Sequence, residues 1–346
     1  MNFTSDNASG VCPEIMAALA QANGGSATAY GADDATAAAQ DDLRTLFGCD
    51  LVMYPVATGT AANALALATL TPPYGTVYCH RHAHIEEDEC NAPEFFTGGA
   101  KLTLLDGPHA RFDAAALAEV LATAGVGIAH HAQPAAVSIT QASEQGGVYT
   151  VDEVTAIAEV ARAHGLPLHM DGARFANAVA HLGCAPADVT WRAGVDVMSF
   201  GATKNGAMAA EAVLFFKPEL ARDFRFRRKR GGHLFSKMRF LSAQLRAYVR
   251  DDLWLKNARH ANACARRLAD GLSALPGAEL QHPVEANEVF VQLPEAVIDG
   301  LAADGVGFLR WGGPTATTLR LVAAFDTEPA DVDRLIAGAR RHLDAA

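Results

Sequence analysis

Short apolar runs of strand length alternate with helical stretches through the first two thirds of this chain, and that alternation most constrains its fold. Leu51–Ala57 (LVMYPVA) reads as a strand, followed by a small polar turn and an Ala/Leu helix from Ala61 to Leu70. Val77–Cys79, Leu102–Leu105, Val126–Ala129 and Ala136–Ile139 are further strand candidates. Val151–His164 carries helical periodicity and is stopped by Gly165 and Pro167. Strands are then expected at Leu166–Met170, Val195–Phe200 and Ala212–Phe216. Strands spaced by helices of this length form β-α-β units, and such units build a mainly parallel sheet. After Lys217-Pro218 the pattern shifts to long helical periods from Ser236 to Leu275, with short strands returning at Val289–Leu293 and Thr318–Val322. The expected organisation is an α/β chain with a large part, 1–240, and a smaller C-terminal part, 241–346, the boundary falling within 235–250.

Composition narrows the classes of function. The 346 residues carry a formal net charge of −11, which argues against nucleic acid or an anionic membrane as partner. The six cysteines form no C-x-x-C pair and read as free thiols in a reducing compartment. The N-terminus lacks a basic flank and apolar run, and no apolar stretch is long enough to span a bilayer. The expectation is a soluble, cytoplasmic protein.

Three segments carry chemistry. Asp171, in LPLHMDGARFANA, stands where a buried strand ends, the place where open α/β sheets bind ligands. An aspartate there also serves as a helix N-cap or turn residue. Lys204, 33 residues further on in SFGATKNGAMAAEA, follows another strand among small residues that leave room for a bulky adduct. Desolvation at such a place lowers an amine's pKa and makes it nucleophilic, as Schiff-base chemistry requires. An ordinary loop lysine is the alternative. In Thr58-Gly59-Thr60-Ala61-Ala62-Asn63, strand, small turn and helix start together make an anion site of free amides and helix dipole, or simply an N-cap by Thr60. The chain contains no G-x-G-x-x-G opening a helix and no P-loop, so dinucleotide and nucleotide-triphosphate readings have no support.

Taken in order, TGTAANALAL, HMDGAR and SFGATKNG resemble the phosphate, pyridinium and Schiff-base segments of the threonine aldolases, fold-type-I enzymes that use pyridoxal 5'-phosphate (PLP). FTSDN, AYGADDAT, RFRRKRGG and TLRLV are similar to the same family, so the likeness runs from about Thr4 to Arg320. DGAR followed by a T-K-N-G loop is its most specific part, resembling the low-specificity L-threonine and phenylserine aldolases. The resemblance implies a seven-stranded, mostly parallel sheet with a smaller C-terminal α/β domain. It also implies a homodimer or homotetramer with shared active sites, and cleavage of L-β-hydroxy-α-amino acids such as threonine, allo-threonine or phenylserine to glycine and an aldehyde.

The resemblance also assigns roles. Lys204 holds the cofactor as a Schiff base, Asp171 pairs with its ring nitrogen, and Gly59 and Thr60 take its phosphate, helped by Arg227, although the run 222–230 also reads as a solvated basic face. His84 stacks on the ring. Arg174, beside the cofactor, and Arg320 clamp the substrate carboxylate, with Ser5 as a hydroxyl donor and Tyr30 reaching in from a neighbouring subunit. His80, His82 and His84 would share one face of a strand, an arrangement metal sites use, but nothing else in the chain calls for a metal. The chain departs from the family in ITQASEQGGVY, where many members carry a histidine near the β-hydroxyl and this sequence has Glu144 or its neighbours. The base is left among His84, His131, Glu144 and a held water. Other fold-type-I activities, a β-eliminating lyase or an aminotransferase, would use the same Lys204 and Asp171. A non-catalytic protein keeping the fold would need none of these side chains.

Overall fold

The computed structural model describes residues 1–345. Its strands in chain order are β1 (Val52–Val56), β2 (Gly75–His80), β3 (Lys101–Leu105), β4 (Gln133–Thr140), β5 (Leu168–Gly172), β6 (Val197–Gly201) and β7 (Glu211–Phe215), followed by β8 (Glu279–Leu280), β9 (Glu288–Gln292), β10 (Leu309–Arg310) and β11 (Thr318–Val322). The first seven form one sheet in the order β1-β7-β6-β5-β4-β2-β3, and the last four a second sheet in the order β10-β11-β9-β8. In the large sheet only β7 runs against its neighbours; β6, β5, β4, β2 and β3 pair in parallel. The C-terminal ends of the parallel strands therefore share one edge, and that edge positions the site.

Helices cover the large sheet because its strands are apolar on both faces. The Gly59–Leu70 helix has no polar side, and every residue from Ala61 to Ala68 is buried. A helix apolar all round is stable only when enclosed. Asn63 is the one strongly polar residue in that buried run, and a buried amide must find partners. The Val151–Ala163 helix is amphipathic and starts on a complete capping box between Thr150 and Glu153. Below the turn that bears Lys204, Phe47, Phe175, Phe200, Tyr248 and Trp254 pack as an aromatic cluster, with Phe175 stacked on Trp254 at 6.1 Å.

One strand expectation needs correction. Val126–Ala129 forms no strand: Gly125 and Gly127 take φ of +66° and +80°, which breaks extended pairing, and Val126 and Ile128 lie exposed. The helical stretch from 236 is two helices, Arg239–Val249 and Leu253–Ser273, broken where Asp251 and Asp252 adopt left-handed φ. The Leu253–Ser273 helix belongs to two cores. Leu253, Trp254 and Ala258 pack in the core of the large sheet; Cys264, Ala265, Leu268 and Leu272 pack in that of the small one. The change of core thus falls inside a continuous helix, past the 235–250 shift in composition. Phe3 reaches the small sheet: it donates to Gly307 O, accepts from Val322 N, and is buried in the second core. Among the described residues no helix is long and apolar enough to cross a membrane.

Candidate active site

A cavity of about 260 Å³ opens at the C-terminal edge of the large sheet, lined among others by Gly59, Thr60, His84, Asp171, Lys204 and Glu211. Each comes from a segment whose local structure explains its place. Thr58 caps the Gly59–Leu70 helix through its hydroxyl, which accepts from Ala61 N at 3.1 Å. The amides of Gly59 and Thr60 belong to the first turn, which a helix leaves without carbonyl partners, and they front the cavity at the positive end of the dipole.

Asp171 is the last residue but one of β5, in register with Thr140 of β4 and Ser199 of β6. Its Oδ1 accepts from Ala173 N at 3.0 Å and its Oδ2 from Asn63 Nδ2 at 2.7 Å. Two residues earlier on the same strand, His169 is fully buried between Ser138 Oγ (2.9 Å) and Ser199 Oγ (3.0 Å). Burial pushes its imidazole down to about 4, so it is neutral under ordinary conditions despite the nearby charge of Asp171.

Lys204 lies in the short Thr203–Asn205 turn between β6 and the antiparallel β7. The turn is pinned from below: Asn205 Nδ2 donates to Tyr248 Oη and to Trp254 O, both at 2.8 Å, and Asn257 Nδ2 donates to Asn205 O at 2.9 Å. Gly206 closes it at φ +110°, where a side chain would be strained and would crowd Asn257 and Cys12. Glu211, opposite Gly201 of β6 and Val56 of β1, accepts from Ala202 N at 3.0 Å and also bonds Thr203, so it fastens the turn from the cavity side. Burial raises its carboxyl to about 7, against the pull of these hydrogen bonds and of Lys204.

The histidines do not form the one-sided row a strand would give. β2 ends at His80, and His84 opens a helical turn, so each ring finds its own partner. His80 Nε2 bonds Gly107 O (3.1 Å), His82 Nδ1 bonds Glu87 (2.8 Å) and His84 Nδ1 bonds Glu89 (2.9 Å). Burial works to lower the His84 pKa, but the hydrogen bond to Glu89 and the charges of Asp171 and Glu144 outweigh it and hold the ring above its usual value. Glu144 is half-buried, and desolvation raises its pKa against the attraction of Lys204, Arg174 and His84. His131 is exposed in the 122–132 loop and does not line the cavity.

The two arginines meet at a buried corner beside the cavity. Arg174 holds Asp6 with two hydrogen bonds, 2.8 and 3.0 Å, and lies 3.5 Å from Glu288. Arg320 binds Glu288 Oε1 through Nε (3.0 Å) and a terminal nitrogen (2.7 Å). Asn287 adds a donor to Asp6 at 3.0 Å. Burial alone would raise the Asp6 pKa, but Arg174 and Lys204 bring it down to about 2.

Three expected residues lie elsewhere in the single chain. The Ser5 hydroxyl accepts from Asn7 N at 3.1 Å as the cap of the Asp6–Ala8 turn and lines a separate surface cleft, while Asn7 of that turn reaches the cavity. Tyr30 is 53% exposed at φ +60°, its ring covered by Lys229. Arg227 is half-buried with Nε unpartnered and does not line the cavity. Sequence reasoning also missed Asp6, Asn63, Glu89, Glu211 and Glu288. Asn63 and Glu211 left a signal, a polar residue inside an Ala/Leu helix and an acid opening an apolar strand. Glu89, in a run of acids, left none.

The chain can be set beside known proteins. The family model described as beta-eliminating lyase matches residues 2–296. A low specificity L-threonine aldolase from Pseudomonas aeruginosa is 48% identical over 334 residues, covering 96% of this chain and 94% of that one. A protein of the same name from a Pseudomonas species is 47% identical and covers 99% of this chain and 98% of its own. Among solved structures, a threonine aldolase from Leishmania major matches with a TM-score of 0.93 at 27% identity, covering 99% of each chain. A serine palmitoyltransferase from Sphingomonas wittichii matches at TM-score 0.71 and 17% identity over 100% of this chain and 87% of that one, a likeness of fold alone. The architecture is that of the fold-type-I PLP enzymes.

Proposed function

The chain belongs to the beta-eliminating lyase family, and from that premise we propose that it is a PLP-dependent aldolase that cleaves L-β-hydroxy-α-amino acids to glycine and an aldehyde. The observation that carries this reading is one cavity that gathers an amine, a carboxylate at a strand end and the open amides of a helix N-terminus. Those groups fit PLP: an aldehyde carbon for Lys204, a ring nitrogen for Asp171 and a phosphate for Gly59 and Thr60. When bound, PLP supplies an electron sink that lets a bond to the substrate's α-carbon break.

The chain's own residues do the rest. Lys204 would hold the cofactor through its amine. Asp171, fixed by Asn63 and Ala173, accepts a charge-assisted hydrogen bond that keeps the ring nitrogen protonated. The family's carboxylate clamp maps to Arg174 and Arg320, whose planar forks suit bidentate binding. Holding the carboxylate decides which α-carbon bond is aligned for cleavage. His84 lines the cavity and Glu144 lies close enough to feel its charge, and one of them would take the β-hydroxyl proton. Arg227 and Tyr30, at the surface of the single chain, suit sites completed by a second copy in a dimer or tetramer.

A second reading, β-elimination, is kept by the name of the family model. The test separates them. The purified protein should show the visible band of bound PLP, and with L-threonine or L-phenylserine it should release glycine and aldehyde. Lys204→Ala should lose the band and activity by on the order of 10³-fold or more. A keto acid in place of glycine would give the site to β-elimination, and a protein that takes up no PLP would remove the whole reading.

A further inference from the structure

At the floor of the cavity runs a polar chain in which the proposed reaction leaves Glu89 without a task. Asn63 Nδ2 donates to Asp171 Oδ2 (2.7 Å) and to Glu89 Oε1 (2.8 Å), so one amide joins two carboxylates. Glu89 Oε1 is also bonded to His84 Nδ1 at 2.9 Å. One ligating atom from each of His84, Glu89 and Asp171 lies within 4.8 Å of the others. Glu89 is 4% exposed, and its Oε2 and Asn63 Oδ1 have no hydrogen-bond partner. A carboxylate buried this way is costly unless a cation faces it, and the partner bonded to it that can carry positive charge is His84.

From this geometry we infer that Glu89 is a positioning residue for the reaction: it fixes the His84 ring with Nδ1–H turned toward the protein and Nε2 free for the substrate. The inference rests on the aldolase reading. In it, Nε2 takes the proton of the β-hydroxyl as the Cα–Cβ bond breaks, and the resulting imidazolium is held by the Glu89 carboxylate. The proton moves from the substrate oxygen to Nε2, and the Nδ1 proton stays where it is. Asn63 keeps Glu89 and Asp171 apart and ties the aim of the histidine to the carboxylate under the ring nitrogen. Burial raises the Glu89 pKa, and the hydrogen bonds from His84 and Asn63 oppose that rise. The other charged groups facing His84 are Asp171 at the end of β5, Glu144 in the loop after β4, and Lys204 across the cavity.

The test is the titration of His84 in full-length, histidine-labelled protein, assigned with His84→Gln, beside the pH profile of kcat/KM. In Glu89→Gln the His84 titration should fall by roughly one pH unit, the size expected for losing a charged partner at hydrogen-bond distance. The acid limb of kcat/KM should move the same way, with kcat lowered. Glu89→Asp, which keeps the charge, should restore most of the titration shift and serves as the second variant should Glu89→Gln fold poorly. A His84 titration unchanged in folded Glu89→Gln, or lowered by about a full pH unit in folded Glu89→Asp, would overturn the positioning role. A shifted titration in a protein that makes no aldehyde from any β-hydroxy amino acid would uphold the His84–Glu89 coupling and sink the aldolase reading instead.

Discussion

Two groups of buried acids border the same cavity and behave in opposite ways. At the arginine corner, Asp6 and Glu288 face Arg174 and Arg320, two acids to two guanidinium groups, and the Asp6 pKa is pulled to about 2. On the wall and just behind it, Glu211, Glu89 and Glu144 are desolvated with too little positive charge beside them, and all three pKa values are raised, that of Glu211 to about 7. Burial is common to both groups; what differs is whether fixed cations answer it. The corner is built to stay charged and joins the first residues, the end of β5 and the small sheet. The second group holds carboxyls whose charged form burial disfavours, and Glu211, at about 7, titrates where an acid or base must work.

Breaking the corner should cost most. Arg174→Ala leaves Asp6 buried without its partner, and denaturant unfolding should show a loss of about 3–5 kcal/mol; a loss below about 1 kcal/mol would mean the corner is no charge-balanced lattice. Scanning Tm against pH sharpens the contrast. The folded Asp6 value lies below its unfolded one, so its contribution is full above about pH 4 and fades as pH falls toward 2. Glu211 has the opposite sign: its folded value lies above the unfolded one, so stability is lost as pH rises from about 4.5 through 7. Glu211→Gln should flatten that second slope and leave the acid limb alone, and equal slopes in both proteins would contradict the raised carboxyl. Arg320→Lys keeps the charge but loses the fork, and steady-state kinetics should show KM raised roughly tenfold with kcat less affected, about one charge-assisted hydrogen bond. Smallest is Ser5→Ala, which removes only the cap of a short turn, about 1 kcal/mol or less; a larger drop in substrate affinity than in stability would place Ser5 in the site after all.

Much of the large sheet was legible because strand and helix are written in neighbouring residues. The runs around β1, β5, β6 and β7 are apolar and bounded by turn chemistry, and all four form. Val126–Ala129 has the same composition and fails, because two left-handed glycines there outrank apolar character. The alternating histidines misled in a similar way: their spacing implied one strand, but β2 stops at His80.

By itself the sequence determined the order of elements and the three segments, around Gly59, Asp171 and Lys204, that meet at one cavity. Each is a local motif whose residues lie within a few positions of one another, so local order carries it. Only the tertiary structure decided which charges face each other. Asp6 meets Arg174 from 168 residues away and Asn63 meets Asp171 from 108. Whether a carboxyl stays charged depends on desolvation and on such distant partners, and neither exists until the chain has folded.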